Sequence, residues 1–220
     1  MLNLIIKDIL LQRKISFVTI PYSLIMIIVG IFAGTSNILP LYTLGIIITV
    51  YLSVQYIVGY EEKNKSSLVI VSLPINRDDI VISKYLSSLL IMIINISIFL
   101  IPFFLLNVFF TAQPVEFIDY AIMLICISII LLTYSVYFPL YFKFGYAVVR
   151  IFPFFVYIGG LMLPGFLQKL IEKNNPIMKN ILNIMASNPA KFLTIFLLFS
   201  LTTLLISLLL SLSVYKNRDL

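Results

Sequence analysis

Long apolar runs separated by short polar interruptions set the pattern of this chain. Residues 15–60 contain no Asp, Glu, Lys or Arg, and residues 85–115 form a second such run. A helix crosses the hydrocarbon of a bilayer with about 20 predominantly apolar residues. The first run is therefore long enough for two crossings. It divides at Gly34-Thr35-Ser36-Asn37-Ile38-Leu39-Pro40, because Gly and Pro punctuate helices. The same reading along the rest of the chain predicts six spans, at residues 15–33, 41–60, 85–110, 117–142, 147–167 and 192–214. The expected fold is all-α and polytopic, a single membrane domain over residues 1–220. Pro102, Pro139, Pro153 and Pro164 fall inside or near the ends of spans, where each removes a backbone donor and kinks its helix.

Two further helices are expected outside the hydrocarbon. Asn175-Pro176 reads as a helix cap followed by Pro at the first helical position. Met178, Ile181, Leu182 and Met185 then recur at helical spacing, with Lys179, Asn180, Asn183 and Ser187 largely opposite. This predicts a short external amphipathic helix lying on the membrane surface. The charged stretch between the second and third spans is organised too. Ser66-Ser67 can cap a short helix that runs to Pro74. Asn76 can cap the next, and Asp78 and Asp79 suit the positive end of its dipole.

Basic residues orient the bundle. Lys7, Arg13 and Lys14 precede the first span; Lys63, Lys65, Arg77 and Lys84 join the second to the third. Lys143 and Arg150 follow the fourth, and Lys216 and Arg218 end the chain. The connections 34–40 and 111–116 carry no Lys or Arg. Cytoplasmic loops carry the excess of Lys and Arg, so both termini are expected in the cytoplasm of a cell with this protein in its plasma membrane. Lys169, Lys173, Lys179 and Lys191 then fall on the outer side, where long side chains reach lipid headgroups.

Composition agrees and excludes much chemistry. Apolar residues make up 61% of the 220 and charged residues 11%, against roughly 25% charged in soluble domains. Mean hydropathy is +1.12. The net charge of +6 is spread along the loops, with no clustered polar face for nucleic acid. There is no histidine, so neither a Ser-His-Asp triad nor a His-based metal site is available. The single Cys126 cannot form an internal disulfide. No GxxxxGK[ST] loop occurs, so the chain has no ATPase site of its own. Spans lacking charge in their interiors argue against an ion-driven carrier. A transporter of this kind draws its energy from a partner.

The stretch 60–86 carries the most information. Glu61-Glu62 leads into Lys65-Ser66-Ser67, then Ser72-Leu73-Pro74-Ile75-Asn76-Arg77, with Lys84 beyond. In this order, together with six spans, a near-amphipathic segment 2–14 with Leu2, Ile5, Ile6 and Ile9 on one face, and the external helix, the chain resembles the small membrane subunits of type-2 ABC exporter permeases. Larger relatives often have Gly-Thr where Lys65-Ser66-Ser67 stands here.

The resemblance implies an N-terminal interfacial helix and a cytoplasmic coupling helix at residues 66–73. It implies a separate ATPase subunit, which would hold ATP and Mg; this chain binds no cofactor. It also implies pairing with a second permease copy or paralogue. The expected ATPase interface is Glu61, Glu62, Lys65, Ser66, Ser67, Leu68, Ser72, Leu73, Pro74 and Arg77. The expected pathway residues are Tyr51, Gln55 and Tyr56 on the second span and Tyr157, beside Gly159-Gly160, on the fifth. The substrates implied are amphipathic peptides, of toxin or antimicrobial type from Gram-positive bacteria, or lipid-like molecules drawn from the bilayer. A membrane immunity or scaffold factor without transport is the competing reading.

Overall fold

The computed structural model describes residues 1–33, 35–66, 76–109, 120–151 and 188–217. Six helices occur among them: α1 (Leu2–Ala33), α2 (Thr35–Lys63), α3 (Arg77–Phe109), α4 (Tyr120–Phe144), α5 (Tyr146–Val149) and α6 (Pro189–Lys216). No strand occurs among the described residues. Among the described residues, four stretches are long and apolar enough to cross a membrane: Thr43–Lys63, Arg77–Pro102, Tyr120–Phe144 and Pro189–Lys216. They correspond to the second, third, fourth and sixth predicted spans. The coupling helix beyond Ser66, the fifth span beyond Ile151 and the external amphipathic helix lie outside the described residues.

Two expectations change. The N-terminal segment is not a separate interfacial helix. It is continuous with the first predicted span in one 32-residue helix. No Gly or Pro occurs between Leu2 and Ile20, and Pro21 is absorbed within the helix. The break between the first two spans is also tighter than expected. α1 ends at Ala33 and α2 begins at Thr35, so the helix takes in residues 35–40, including Pro40. Pro102 and Pro139 likewise lie inside α3 and α4.

The helices pack inside-out relative to a water-soluble bundle. On α1 the buried side chains are Asp8, Gln12, Thr19 and Ser23, a stripe at helical spacing, while Leu2, Ile6, Leu10, Phe17 and Ile25 face outward. On α6 the buried stripe is Leu193, Ser200, Leu204, Ser207, Ser211 and Tyr215, and Phe199, Leu205, Ile206 and Leu209 face outward. Hydrocarbon makes this arrangement favourable. Large apolar side chains lose nothing against lipid, and small polar ones let helices approach and pair their hydroxyls.

An aromatic core fills the centre. Tyr134, Tyr137, Phe138 and Phe142 of α4 are all buried, with Tyr51 of α2 and Tyr85 of α3. Tyr85 and Phe138 have ring centroids 4.5 Å apart, and Tyr51 meets Tyr137 edge-on at 5.7 Å. α1 packs on α2 and α3, and α4 packs along α6.

Gly145 links α4 to α5 with φ of 80°, a conformation open to glycine without Cβ strain. Its amide donates to the Tyr141 carbonyl at 2.8 Å. The short α5 then sets Tyr146 against Gly59 of α2, where a Cβ would lie 2.6 Å from the Tyr146 hydroxyl oxygen.

Candidate functional site

The start of α1, the end of α2, the start of α3 and the ends of α4 and α6 meet at one end of the bundle. Contacts between Asp8 and Lys84, between Arg77 and the α6 terminus, and between Phe142 and Tyr215 fix this arrangement. It is the basic end identified from the sequence.

Its centre is a buried ion cluster. Asp8 is 2% exposed, Glu61 4% and Lys84 8%. The Lys84 ammonium lies 3.0 Å from Asp8 Oδ2 and 2.7 Å from Glu61 Oε2. Lys7 donates to Glu61 and lies 3.5 Å from Asp8 Oδ1. Ser87 Oγ donates to Asp8 Oδ2 at 2.8 Å. Two ammonium groups and two carboxylates balance, so the cluster carries no net charge into the bundle. It ties three helices together: α1 through Lys7 and Asp8, α2 through Glu61, and α3 through Lys84 and Ser87. Burying such groups costs desolvation energy that only close pairing offsets, so removing one partner is far more damaging than removing a pair.

The loop that leaves this cluster is anchored on both sides. α2 ends with the Asn64 amide donating to the Tyr60 carbonyl at 3.1 Å and the Lys65 amide to the Glu62 carbonyl at 3.0 Å. Lys65 adopts φ of 49°, the left-handed conformation that helix ends commonly give to Gly. Ser66 Oγ donates to the Glu61 carbonyl at 3.1 Å. On the far side, α3 begins directly after Asn76, with Asp78 and Asp79 in its first turn as expected from the sequence. Arg77 donates to the Lys216 carbonyl at 3.2 Å, placing a cation at the negative end of α6.

The family model of the ABC-2 family transporter protein matches residues 3–216, nearly the whole chain. The chain belongs to the ABC-2 transporter family. No curated protein and no solved structure matches it. Membership makes the chain a multi-pass permease subunit of an ABC transporter, and places ATP hydrolysis in a partner ATPase rather than in the permease.

The structure distributes the expected ATPase-interface residues of the permease unevenly. Glu62, Lys65 and Arg77 are exposed, and Ser66 is half-buried. Glu61 faces inward, into the ion cluster. Ser67, Leu68, Ser72, Leu73 and Pro74 lie outside the described residues. Of the pathway candidates, Tyr51 and Gln55 come together: Gln55 Nε2 donates to the Tyr51 hydroxyl at 2.8 Å and to the Val149 carbonyl at 3.1 Å. Both are buried and hold α5 against α2. Tyr56 faces outward, 46% exposed, and stacks on Tyr60. Tyr157 lies outside the described residues.

Asp8 is the residue that reading the sequence missed. It is the only acid before Glu61, and it heads a polar stripe with Gln12, Thr19 and Ser23. The apolar face of Leu2, Ile5, Ile6 and Ile9 fits a surface helix as well as a buried one, so local spacing does not place this stripe. Leu4 and Leu11, on the same helix, are partly buried and pack against the core.

Proposed function

We propose that the permease forms the translocation path of an exporter for amphipathic or hydrophobic substrates, with peptides of toxin or antimicrobial type as the cargo. The basic end is cytoplasmic, so both termini are inside, and the membrane is the plasma membrane of a Gram-positive bacterium. The permease pairs with a second copy or a paralogue. The ATPase, carrying ATP and Mg, docks on the loop that begins at Glu62, Lys65 and Ser66, continues through Ser67, Leu68, Ser72, Leu73 and Pro74, and ends at Arg77. Glu61 acts behind this surface, as the link from the loop to α1 and α3.

The observation that carries this reading is the ion cluster. A push on the loop at either anchor reaches Glu61 or Arg77, and through them α1, α3 and α6. The outward-facing Tyr56 is the pathway candidate best placed to meet a second copy. Tyr51 and Gln55 stand behind it as the support for that wall.

The decisive experiment reconstitutes the permease with its ATPase in vesicles. ATP hydrolysis stimulated by an amphipathic cationic peptide, with ATP-dependent movement of that peptide, is the expected result. Replacing residues 68–73 by Gly and Ser should abolish both while the permease stays folded. ATPase activity indifferent to the permease and to that replacement would remove the reading in favour of a non-transporting immunity or scaffold role. A cysteine at Glu62 should be labelled in intact cells only after permeabilisation; labelling from outside would reverse the orientation.

A further inference from the structure

The elbow between α4 and α5 is attached to α2 at two points. Gln55 Nε2 donates to the Val149 carbonyl at 3.1 Å and to the Tyr51 hydroxyl at 2.8 Å. Gly59 lies one helical turn further along α2. Its missing side chain makes room for Tyr146, whose hydroxyl oxygen lies 2.6 Å from where a Cβ would stand. Val149 thus meets the earlier turn of α2 and Tyr146 the later one. Two contacts at successive turns fix the direction of α5 as well as its position.

Each contact has a physical reason. α5 has four residues, too few for its last carbonyls to find partners within the helix. Val149 is 1% exposed, and a buried carbonyl left unpaired is costly. Gln55, itself buried, supplies the donor. Both hydrogens of its amide are held, one by Val149 and one by Tyr51, so the side chain is fixed in place. On the other side of the elbow stands Gly145, with φ of 80° and ψ of −178°. That backbone region is essentially open to glycine alone. α4 cannot continue through it, so the course of α5 is set by α2.

Glu61 lies six residues beyond Gln55 on the same helix, about 9 Å along its axis. We propose that Gln55 is a positioning residue for coupling. It makes the α4–α5 elbow move with α2 when the ATPase acts on the loop beyond Glu61. The ion cluster and Arg77 link that loop to α1, α3 and α6, and Gln55 adds α4. This inference rests on the docking reading above. It also moves Gln55 out of the pathway, because a cargo contact through its amide hydrogens would have to break the elbow's attachment first.

The test is hydrogen exchange on the full-length permease bound to its ATPase in lipid nanodiscs, with and without a non-hydrolysable ATP analogue. In the wild type, nucleotide should change exchange at residues 60–66 and at residues 145–151 together. Gln55→Met keeps the length of the side chain and removes both donors. Its response at 60–66 should persist, while its response at 145–151 should fall about threefold, as for loss of one hydrogen bond between membrane helices. Tyr51→Phe should act in the same direction but less, since Val149 keeps its donor. A wild type that responds at 60–66 and not at 145–151 would overturn this inference and leave the docking reading standing. So would a full response at 145–151 in Gln55→Met. Silence at 60–66 in the wild type would overturn the docking reading, and this inference with it.

Discussion

Lys84 and Tyr85 are neighbours in sequence, yet they serve two regions of the permease that solve one problem in opposite ways. Lys84 faces α1 and α2 and buries its charge between Asp8 and Glu61. Tyr85 faces α6, where its hydroxyl lies 2.7 Å from Ser207 Oγ and 2.8 Å from Ser211 Oγ. Both regions bury polar groups in a bundle where water is scarce. The ionic end pairs whole charges, so each member depends on every other. The α6 seam pairs hydroxyls that can also return to the carbonyl of their own helix, as Ser200 does at 2.8 Å. The seam tolerates loss, and the ionic end does not. That contrast suits a bundle whose ATPase-facing end must respond as a unit while its α4–α6 body stays packed.

The contrast breaks most sharply at Lys84. Lys84→Met leaves Asp8 and Glu61 with Lys7 alone, and one buried negative charge uncompensated. The expected loss is about 3–5 kcal/mol of stability, measured by thermal unfolding in detergent. Adding Asp8→Asn restores the charge balance and should recover more than half of that loss. If the double variant is no better than the single, the cluster is held by packing and the comparison fails. Coupled ATPase assays on the double variant then separate stability from transmission. A stable but uncoupled protein is expected, since α1 is no longer tied to α3 by charge.

Gly59 sharpens the same comparison by removing charge from it. It lies two residues before Glu61 on α2, but its contact with Tyr146 is purely steric. Gly59→Ala should cost about 1–3 kcal/mol, the usual penalty for overpacking. Combining it with Tyr146→Ala should relieve most of this. Neither change should alter the ATPase partner at the ionic end. If Gly59→Ala uncouples ATP hydrolysis as strongly as the Lys84 variant, the position of α2 matters more than its charge.

Much of this architecture could be read from the residues, for a physical reason. Hydrocarbon imposes a length and a composition on every span, so the runs at 41–60, 85–110, 117–142 and 192–214 announced α2, α3, α4 and α6 directly. The start of α3 was equally legible, because Asn76, Asp78 and Asp79 act within one turn. The joint between segment 2–14 and the first span was not. Whether Lys14 ends a surface helix or sits midway along a long one depends on what Asp8 meets, and its partners on α3, Lys84 and Ser87, lie 76 and 79 residues away. Long-range pairing of single charges leaves no local pattern. Tyr51 and Gln55 show the same limit: one helical turn apart, they suggest a pathway, but their partner is the Val149 carbonyl, which no side-chain motif marks.

The smallest effect belongs to the seam, and it tests the tolerant half of the comparison. Ser207→Ala and Ser211→Ala each remove one hydroxyl facing Tyr85. Hydrogen bonds between membrane helices average about 0.6 kcal/mol and reach about 1.7 kcal/mol. Each single change should fall near the lower figure, because Tyr85 keeps its other partner. The double change should exceed the sum of the singles, because it alone leaves the Tyr85 hydroxyl buried without a partner. Tyr85→Phe should cost less than that double change, since it removes the stranded hydroxyl and keeps the ring against Phe138. Thermal unfolding of the four proteins under one condition gives the ranking. Strict additivity of the two serines would mean that the seam is held by close helix approach alone. Its hydroxyls would then be passengers, unlike the charges one residue away.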